Sequence, residues 1–251
     1  DEKSAATSHQ LLLALSESSA QDTGVLPVQP SHPENGHHSK RVSVNLGREN
    51  KLNYAELGLR LAFQGFEDNQ QGFLQGAQIN MGNLLLRVIE DESVVLQRFD
   101  VIDIFSLTPR TKLFDPLSWK VYTGLERQLT NGKDRLVAHV TAGAGVTYAP
   151  VDDMLVYGLL TARLESNKGF EKTLEYALGI DSGLLYYFDT STARIELSGE
   201  EFHNNEYRHR ATYSHNFAIS RNNSIKLGLS HEEQKSISFA EFNLSYQHYF
   251  F

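Results

Sequence analysis

The fold is decided by the stretch 172–188, K-T-L-E-Y-A-L-G-I-D-S-G-L-L-Y-Y-F, in which apolar residues alternate with small or acidic ones. The apolar set shares one parity: Leu174, Tyr176, Leu178, Ile180, Leu184, Tyr186 and Phe188. The opposite parity carries Glu175, Ala177, Gly179, Asp181 and Gly183. Successive side chains of an extended chain point to opposite faces, so a two-residue repeat predicts a β-strand with one apolar and one polar face.

The same alternation recurs from residue 40 to the end of the chain. Turn residues separate the segments, as at Asn131-Gly132, Asn204-Asn205 and Asn222-Asn223. Twelve strands are predicted, over 40–47, 51–65, 74–90, 93–107, 118–129, 134–149, 153–166, 172–188, 192–202, 206–220, 223–234 and 236–250.

The composition excludes several classes of protein. The chain has 251 residues, a formal net charge of -8, a mean hydropathy of -0.37 and no Cys. It has no run of about 18 apolar residues, which a membrane helix needs. The lack of Cys excludes disulfides, thiol nucleophiles and Cys-ligated metal sites. The acidic balance argues against a nucleic-acid partner.

Twelve alternating strands fit either a soluble β-protein with an apolar interior or an outer-membrane barrel with an apolar exterior. Strand length favours the membrane, because soluble strands have about 5–6 residues and roughly 9–11 cross a bilayer. Gly143 and Gly145 would weaken a soluble strand but relieve crowding inside a narrow barrel. We therefore predict an all-β fold, a 12-stranded antiparallel transmembrane β-barrel over residues 40–251.

Aromatic residues support the same interpretation. The C-terminal run Y-Q-H-Y-F-F resembles the signal that the barrel-assembly machinery of Gram-negative outer membranes recognises. The predicted signal is the even register Phe242, Leu244, Tyr246 and Phe250, and Phe251 lies off that face. Aromatics near strand ends predict the girdles of a membrane barrel: Trp119, Tyr148, Tyr186, Tyr187, Phe188, Phe202, Tyr207, Tyr249 and Phe250.

The predicted inner wall carries charges of both signs. The charged positions are Arg60, Lys120, Glu126, Arg163, Glu165, Glu175, Asp181, Arg194, Glu196, Glu200, Arg208, Arg210 and Glu241. We favour a network of ion pairs that crosslinks the wall over a solute pathway. Because the signs are mixed, the lumen predicts no selectivity for anions or cations.

An even strand count puts both termini on one side, which we predict to be the periplasm. The connections that would then face outward are short, around 47–51, 90–93, 130–134, 166–172, 202–206 and 234–236. The long connections 66–73 and 107–118 would face the periplasm. We expect a periplasmic partner to contact Phe114, Asp115, Pro116 and Trp119.

Residues 1–39 form a connector with a different composition. A short helix is predicted from Ser8 to Ser18, followed by a linker with Pro27, Pro30 and Pro33. We expect this helix to act as a lumen plug or a periplasmic lid. The alternative is that it is the last helix of a preceding domain.

Candidate sites for chemistry are few. His32, His37 and His38 lack the spacing that orients metal ligands, so no metal site is expected. A lipid-acting barrel needs Ser, His and an orienting group on its outer wall. His215 with Ser214 or Asn216 qualifies by residue type, but neighbours in a strand face opposite ways. With no phosphate loop or dinucleotide fingerprint, no cofactor is predicted.

Two motifs carry a family resemblance over about residues 8–251. The stretches 30–41, P-S-H-P-E-N-G-H-H-S-K-R, and 103–120, D-I-F-S-L-T-P-R-T-K-L-F-D-P-L-S-W-K, resemble the C-terminal region of Lnb-type proteins of Proteobacteria. In that family a periplasmic domain similar to lipoprotein N-acyltransferases uses a Cys and a His. This chain has no Cys, so that catalytic domain is absent and no catalytic residue is carried over. The resemblance implies that the chain is the C-terminal barrel of a larger protein.

The predicted function is a non-enzymatic outer-membrane anchor or scaffold for a periplasmic domain or protein. The alternatives are a small-solute channel and a lipid-acting barrel enzyme. The expected partners are outer-membrane lipids and lipopolysaccharide, the barrel-assembly machinery during insertion and the periplasmic domain or protein.

Overall fold

The computed structural model of the chain is a closed barrel of twelve antiparallel strands. The structure describes residues 2–17, 32–89, 93–130, 133–168, 174–234 and 237–251. The strands are β1 (Lys40–Glu49), β2 (Leu52–Gln64), β3 (Ala77–Ile89), β4 (Val94–Ser106), β5 (Ser118–Thr130), β6 (Lys133–Tyr148), β7 (Met154–Ser166), β8 (Leu174–Tyr187), β9 (Ser191–Phe202), β10 (Tyr207–Ser220), β11 (Asn223–Gln234) and β12 (Ile237–Phe250).

Each strand pairs with its neighbours in the chain, and β12 closes the barrel on β1. The closing register runs from Lys40 opposite Phe250 to Glu49 opposite Glu241. The prediction of twelve strands is confirmed, and no predicted boundary differs from the observed one by more than three residues. The boundaries agree because the two-residue repeat is regular along each strand and most of the connections between strands are short.

The two faces of the wall are sorted as a membrane requires. On the outside, Leu160 and Leu178 are 71% and 68% exposed. On the inside, Arg60, Asp100 and Glu165 are at most 2% exposed. A soluble barrel would bury its apolar face, whereas a barrel in lipid turns it outward and satisfies every backbone group between strands. The chain is therefore a transmembrane β-barrel of the outer-membrane type.

The barrel has two unlike ends. The terminal end carries the start of β1, the end of β12 and the long connections 65–76 and 107–117. The opposite end, here called the hairpin end, carries the connections from β1 to β2, β3 to β4, β5 to β6, β7 to β8, β9 to β10 and β11 to β12. The two predicted long connections therefore lie at the same end as the termini.

Outside the strands, the structure contains α1 (Glu2–Glu17) and a 3-10 turn at Pro33–Asn35. The predicted N-terminal helix is confirmed and begins earlier than expected. Among the described residues, no helix is long and apolar enough to cross a membrane. The predicted linker falls largely on 18–31, outside the described residues, so the role of the connector stays a prediction.

Glycines on the inner face make room for tyrosine rings of the adjoining strand. A Cβ on Gly183 would lie 2.6 Å from Tyr157 Oη, and one on Gly47 would meet the ring of Tyr54. These two inner glycines therefore relieve crowding as predicted, because a tyrosine ring occupies the space that a larger side chain would need.

The girdle prediction was wrong for three aromatics. Tyr187, Phe202 and Tyr249 are at most 5% exposed and lie on the inner face. Each lies an even number of positions from an inward-facing residue of its own strand, as Tyr187 does from Asp181. The two-residue alternation of the strand therefore turns these aromatics inward, although they lie near a strand end. Trp119 and Tyr148 do face outward, at 41% and 51% exposure.

Candidate functional site: the lumen and its plug

A long connection that was predicted only to face the periplasm enters the lumen at the terminal end. The connection 65–76 between β2 and β3 turns back into the barrel, and its residues Phe66, Glu67 and Asp68, here called the plug, reach three sectors of the wall.

Phe66 closes the sector formed by β4, β7 and β8. It is 1% exposed and its ring meets that of Phe105 edge-on, at 5.3 Å between centroids. The Cζ atom of Arg194 lies 5.2 Å from the centroid of the Phe66 ring. The complete apolar cluster is Phe66, Phe105, Leu107, Leu155, Tyr157, Leu159, Leu185 and Tyr187. Close-packed apolar side chains of this kind leave no room for water within the cluster.

Glu67 holds the sector formed by β10 and β11. Its carboxylate accepts hydrogen bonds from the Ser214 hydroxyl and the Lys226 ammonium. Its backbone oxygen accepts a third, from Asn216 Nδ2 at 2.7 Å. These partners lie about 150 positions further along the chain, so this contact forms only in the closed barrel.

Asp68 holds the sector formed by β1, β2 and β12. Its carboxylate accepts from Arg60 at 2.5 Å, Arg41 at 3.2 Å and the Tyr249 hydroxyl at 2.7 Å. Gly65 N donates to it at 2.6 Å. Burial acts to raise the pKa of Asp68, but Arg60 and Arg41 outweigh burial and hold the pKa well below its usual range. Asp68 is therefore a carboxylate at any physiological pH.

The segment 32–39 covers the plug from outside. His37 is buried against the rings of Phe73 and Tyr249, with centroids 4.5 and 4.3 Å away, and its Nε2 lies 3.8 Å from Asp68 Oδ2. Burial lowers the pKa of His37, and the charge of Asp68 offsets only part of that effect. Arg221 Nε donates to Gly36 O at 2.6 Å and fixes the segment to the β10–β11 turn.

Ion pairs cross the lumen nearer the hairpin end. Arg208 donates to Glu165 at 2.9 Å, to Gln128 at 2.9 Å and to Glu200 at 3.1 Å. Arg163 donates to Glu165 at 2.6 Å and also pairs with Glu126. The groups come from β5, β7, β9 and β10, most of which are not neighbours, so this network ties opposite parts of the wall together.

A second network joins β1, β2, β3 and β12. Arg87 donates to Glu49 and Glu241, both at 2.8 Å, and to Glu56 at 3.0 Å. Its guanidinium lies 3.8 Å from the centroid of the Tyr54 ring. One buried guanidinium thus pairs with three carboxylate side chains, and pairing is the way that buried charges are tolerated.

The remaining predicted wall charges also face the lumen. Lys120 pairs with Asp181 across the barrel, Arg194 with Glu196, and Arg210 with Glu232 at 2.5 Å. Glu175 lies opposite Glu165 in the register of β7 with β8.

Several luminal residues were missed by the sequence analysis. Arg87 was detectable, because it is a charge at the inner parity of an apolar strand. Asp100 and Asp103 on β4 also face inward, but they have opposite parity because a bulge lies between them, so simple alternation could have placed only one of them. Glu67 and Asp68 carry no such signal, because they belong to a polar connection that looks like any solvated turn.

The predicted partner contacts lie at the terminal end, and the predicted assembly signal lies on the outer wall. Phe114 is 73% exposed at the terminal end, with Asp115 exposed, Pro116 half-buried and Trp119 on the outer wall. On the last strand Phe242, Leu244 and Tyr246 are 46–49% exposed on the outside, and Phe250 shares their face. Within the described ranges, no three His, Asp or Glu side chains are grouped as metal ligands.

Comparison with known proteins identifies the family. The family described as Domain of unknown function (DUF7840) matches residues 30–249, so the chain belongs to this family. The search of curated proteins gave no match.

Solved structures similar to the chain include a NanC porin, 8% identical, covering 84% of this chain and 100% of that one with a TM-score of 0.49. A KdgM porin in complex with disordered oligogalacturonate is 10% identical, covering 84% and 99% with a TM-score of 0.46. An OmpT variant, an outer membrane protein of Vibrio cholerae, is 9% identical, covering 84% and 97% with a TM-score of 0.42.

Proposed function

We propose that this member of the DUF7840 family is a closed outer-membrane barrel that anchors a periplasmic domain or partner at its terminal end. The observation that carries the proposal is the plug. Phe66, Glu67 and Asp68 reach three sectors of the wall, so the chain itself crosses the lumen at the terminal end. A barrel whose lumen is crossed by its own chain is better suited to a membrane-embedded support than to an open pore.

The orientation belongs to the same proposal. The hairpin end has short connections, while the terminal end displays Leu113 and Phe114, which are 86% and 73% exposed. Exposed apolar side chains on a long connection are suited to contact another protein. We place this end in the periplasm, together with both termini and the partner.

The gated channel is the second candidate, and the charged lumen is the observation that favours it. The plug is held by ion pairs and hydrogen bonds rather than covalently, so a partner that competes for Glu67 or Asp68 would release it. The two candidates differ in one property. An anchor stays closed, whereas a channel opens with the native plug in place.

Conductance of the full chain in planar lipid bilayers tests the proposal. We expect the native protein to show no discrete openings at any applied voltage. The variant Glu67→Gln/Asp68→Asn removes the charges that tether the plug. If this variant shows openings, the tethers keep the lumen closed. If it shows none, the luminal ion-pair networks keep the lumen closed as well. Discrete openings of the native protein would overturn the anchor in favour of the channel.

Site-specific photocrosslinking in cells tests the partner. A photoreactive residue at Phe114 is expected to crosslink to a periplasmic protein or domain. The matched control is Asn204, which lies in the β9–β10 connection at the hairpin end. Equal crosslinking from the two positions would contradict a partner-binding terminal end.

A further inference from the structure

A serine, a histidine and a tyrosine lie in hydrogen-bond contact on the outer wall, away from the lumen and its plug. His215 Nε2 is 3.0 Å from Ser191 Oγ, and His215 Nδ1 is 3.2 Å from Tyr213 Oη. Ser214 lies on the face opposite to His215, as expected for neighbours in a strand, and its hydroxyl donates inward to Glu67.

The register of β9 with β10 brings the three side chains together. Phe217 pairs with Ser191 and His215 with Ala193, so Ser191 lies diagonally opposite His215 on the same outward face. Diagonal neighbours on one face of an antiparallel pair are within reach of long side chains. Ser191 and His215 are 24 positions apart in the sequence, and only the pairing of the strands shows that they meet.

The order of the three groups is that of an activated nucleophile. When Nδ1–H of His215 donates to the Tyr213 hydroxyl oxygen, the lone pair of Nε2 faces the hydroxyl of Ser191. A neutral imidazole in this tautomer can take the proton of the serine. Nucleophile, base and orienting group are thus each within hydrogen-bond distance of the next.

Ser191 and His215 lie at a depth in the membrane that suits the ester groups of phospholipids. The His215 ring stacks on Phe217 at 4.0 Å and on Phe188 at 5.6 Å between centroids, and Ser191 directly follows the β8–β9 turn. Aromatic rings at strand ends mark the interface between lipid and water, which is the level of the headgroup region.

The turn before Ser191 also offers hydrogen-bond donors. Within the described part of the chain, the backbone N–H groups of Asp189 and Thr190 donate to no protein group. Free backbone N–H groups beside a nucleophile are the donors that stabilise a developing oxyanion.

We propose that Ser191 and His215 hydrolyse acyl esters of glycerophospholipids in the leaflet around the terminal end, with Tyr213 as a positioning residue. Ser191 Oγ forms a bond to the ester carbonyl carbon and its proton passes to His215 Nε2. The bond to the lysolipid oxygen breaks, and that oxygen takes the proton from His215. Water, deprotonated by His215, then attacks the acyl-serine and releases the fatty acid, while Ser191 recovers its proton.

The test uses the full folded chain with two readouts. A fluorophosphonate probe is expected to label Ser191, mapped by peptide mass spectrometry. Vesicles of phosphatidylethanolamine and phosphatidylglycerol are expected to release fatty acid. Ser191→Ala should abolish labelling and release, and His215→Ala should slow release by about 100-fold or more, the range of general acid–base catalysis.

Two matched variants separate chemistry from structure. His209→Ala and Ser182→Ala change the same residue types on the outer faces of β10 and β8, and both should keep the native rate. Tyr213→Phe should lower kcat without changing KM and move the acid limb of the rate–pH profile to lower pH, because the imidazolium loses its acceptor.

The outcome is decisive in either direction. Heat-dependent migration in detergent gels reports that each variant is folded. A native protein that neither reacts with the probe nor releases fatty acid overturns the proposal, and so does equal release by folded Ser191→Ala. Either result leaves the anchoring role untouched, since the outer-wall residues take no part in closing the lumen.

Discussion

Asp68 is the residue on which the closure of the lumen most depends. Its carboxylate pairs with both Arg41 and Arg60 and accepts a hydrogen bond from Tyr249, so one side chain links three strands. A charge that is buried with its partners contributes modestly to stability, but removing one partner leaves the others buried and uncompensated.

Asp68→Asn should therefore destabilise the barrel by about 3–5 kcal/mol, because the two guanidinium groups lose their counter-ion at nearly constant volume. Urea unfolding of the detergent-folded protein, followed by tryptophan fluorescence, measures the change. Asp115→Asn is the control at the same end, where an exposed aspartate should cost less than about 0.5 kcal/mol. Equal effects of the two variants would show that Asp68 is not a structural tether.

Gly183 tests how tightly the inner wall is packed. Gly183→Ala should cost about 1–3 kcal/mol through overpacking, because the new methyl group meets the Tyr157 ring, whose hydroxyl is held by Glu196 at 2.6 Å. Gly158→Ala on the outer face has open space and should change the free energy of unfolding by less than about 0.5 kcal/mol. The same unfolding assay compares the two, and the reverse order would refute the packing argument.

At the scale of elements, the connection 65–76 and the segment 32–39 are in direct contact. The first enters the lumen and the second lies over it, and His37 makes the contact between them through Asp68, Phe73 and Tyr249. The closure therefore depends on two segments that are not strands.

The pH dependence of this closure follows from His37. Burial lowers the pKa of His37 below 6.5, so the unfolded segment binds a proton before the folded one does as the pH falls. Stability of the segment should therefore decrease as the pH drops below about 6.5. The pKa of Asp68 is depressed too, but its contribution is lost only at far lower pH, so it does not contribute to this decrease.

Hydrogen exchange measures the effect. Protection factors of the amides of Gly36 and His38 should fall between about pH 7.5 and 5.5 in the native protein. His37→Gln removes the titrating group and should make protection independent of pH in this range. His231→Gln, on the outer face of β11, is the control that keeps the native dependence. Unchanged protection in the native protein would exclude His37 as the cause.

The elements also show how far sequence reasoning reaches. The strands and their two faces follow from local alternation, which is why Arg163, Glu165 and Arg208 could be placed on the inner wall. The plug could not be predicted, because Asp68 and its partner Tyr249 are separated by 181 positions in the sequence. Only closure of the barrel brings the two residues together. The contact of Ser191 with His215 required the register of two strands, which alternation within one strand does not provide.

At the scale of the whole molecule, the asymmetry between the two ends is the property with the clearest consequence in the cell. The absence of Cys makes orientation measurable, because a single introduced thiol is the only one in the chain. Asn204 lies at the hairpin end and Leu113 at the terminal end.

With the terminal end in the periplasm, a membrane-impermeant maleimide should label Asn204→Cys in intact cells. Leu113→Cys should react only after the outer membrane is permeabilised. Gel shift of the labelled protein measures both, and Leu113→Cys treated in permeabilised cells controls for reactivity. Labelling of Leu113→Cys in intact cells would invert the orientation.

The position of Asp68 has one more consequence. It binds Arg41 on the first strand and Tyr249 on the last, so the plug bridges the seam at which the wall closes on itself. A barrel of this kind resists lateral opening between its first and last strands. Its insertion should therefore be hard to reverse once the plug has bound both strands. In variants of Asp68, the first and last strands should separate more readily.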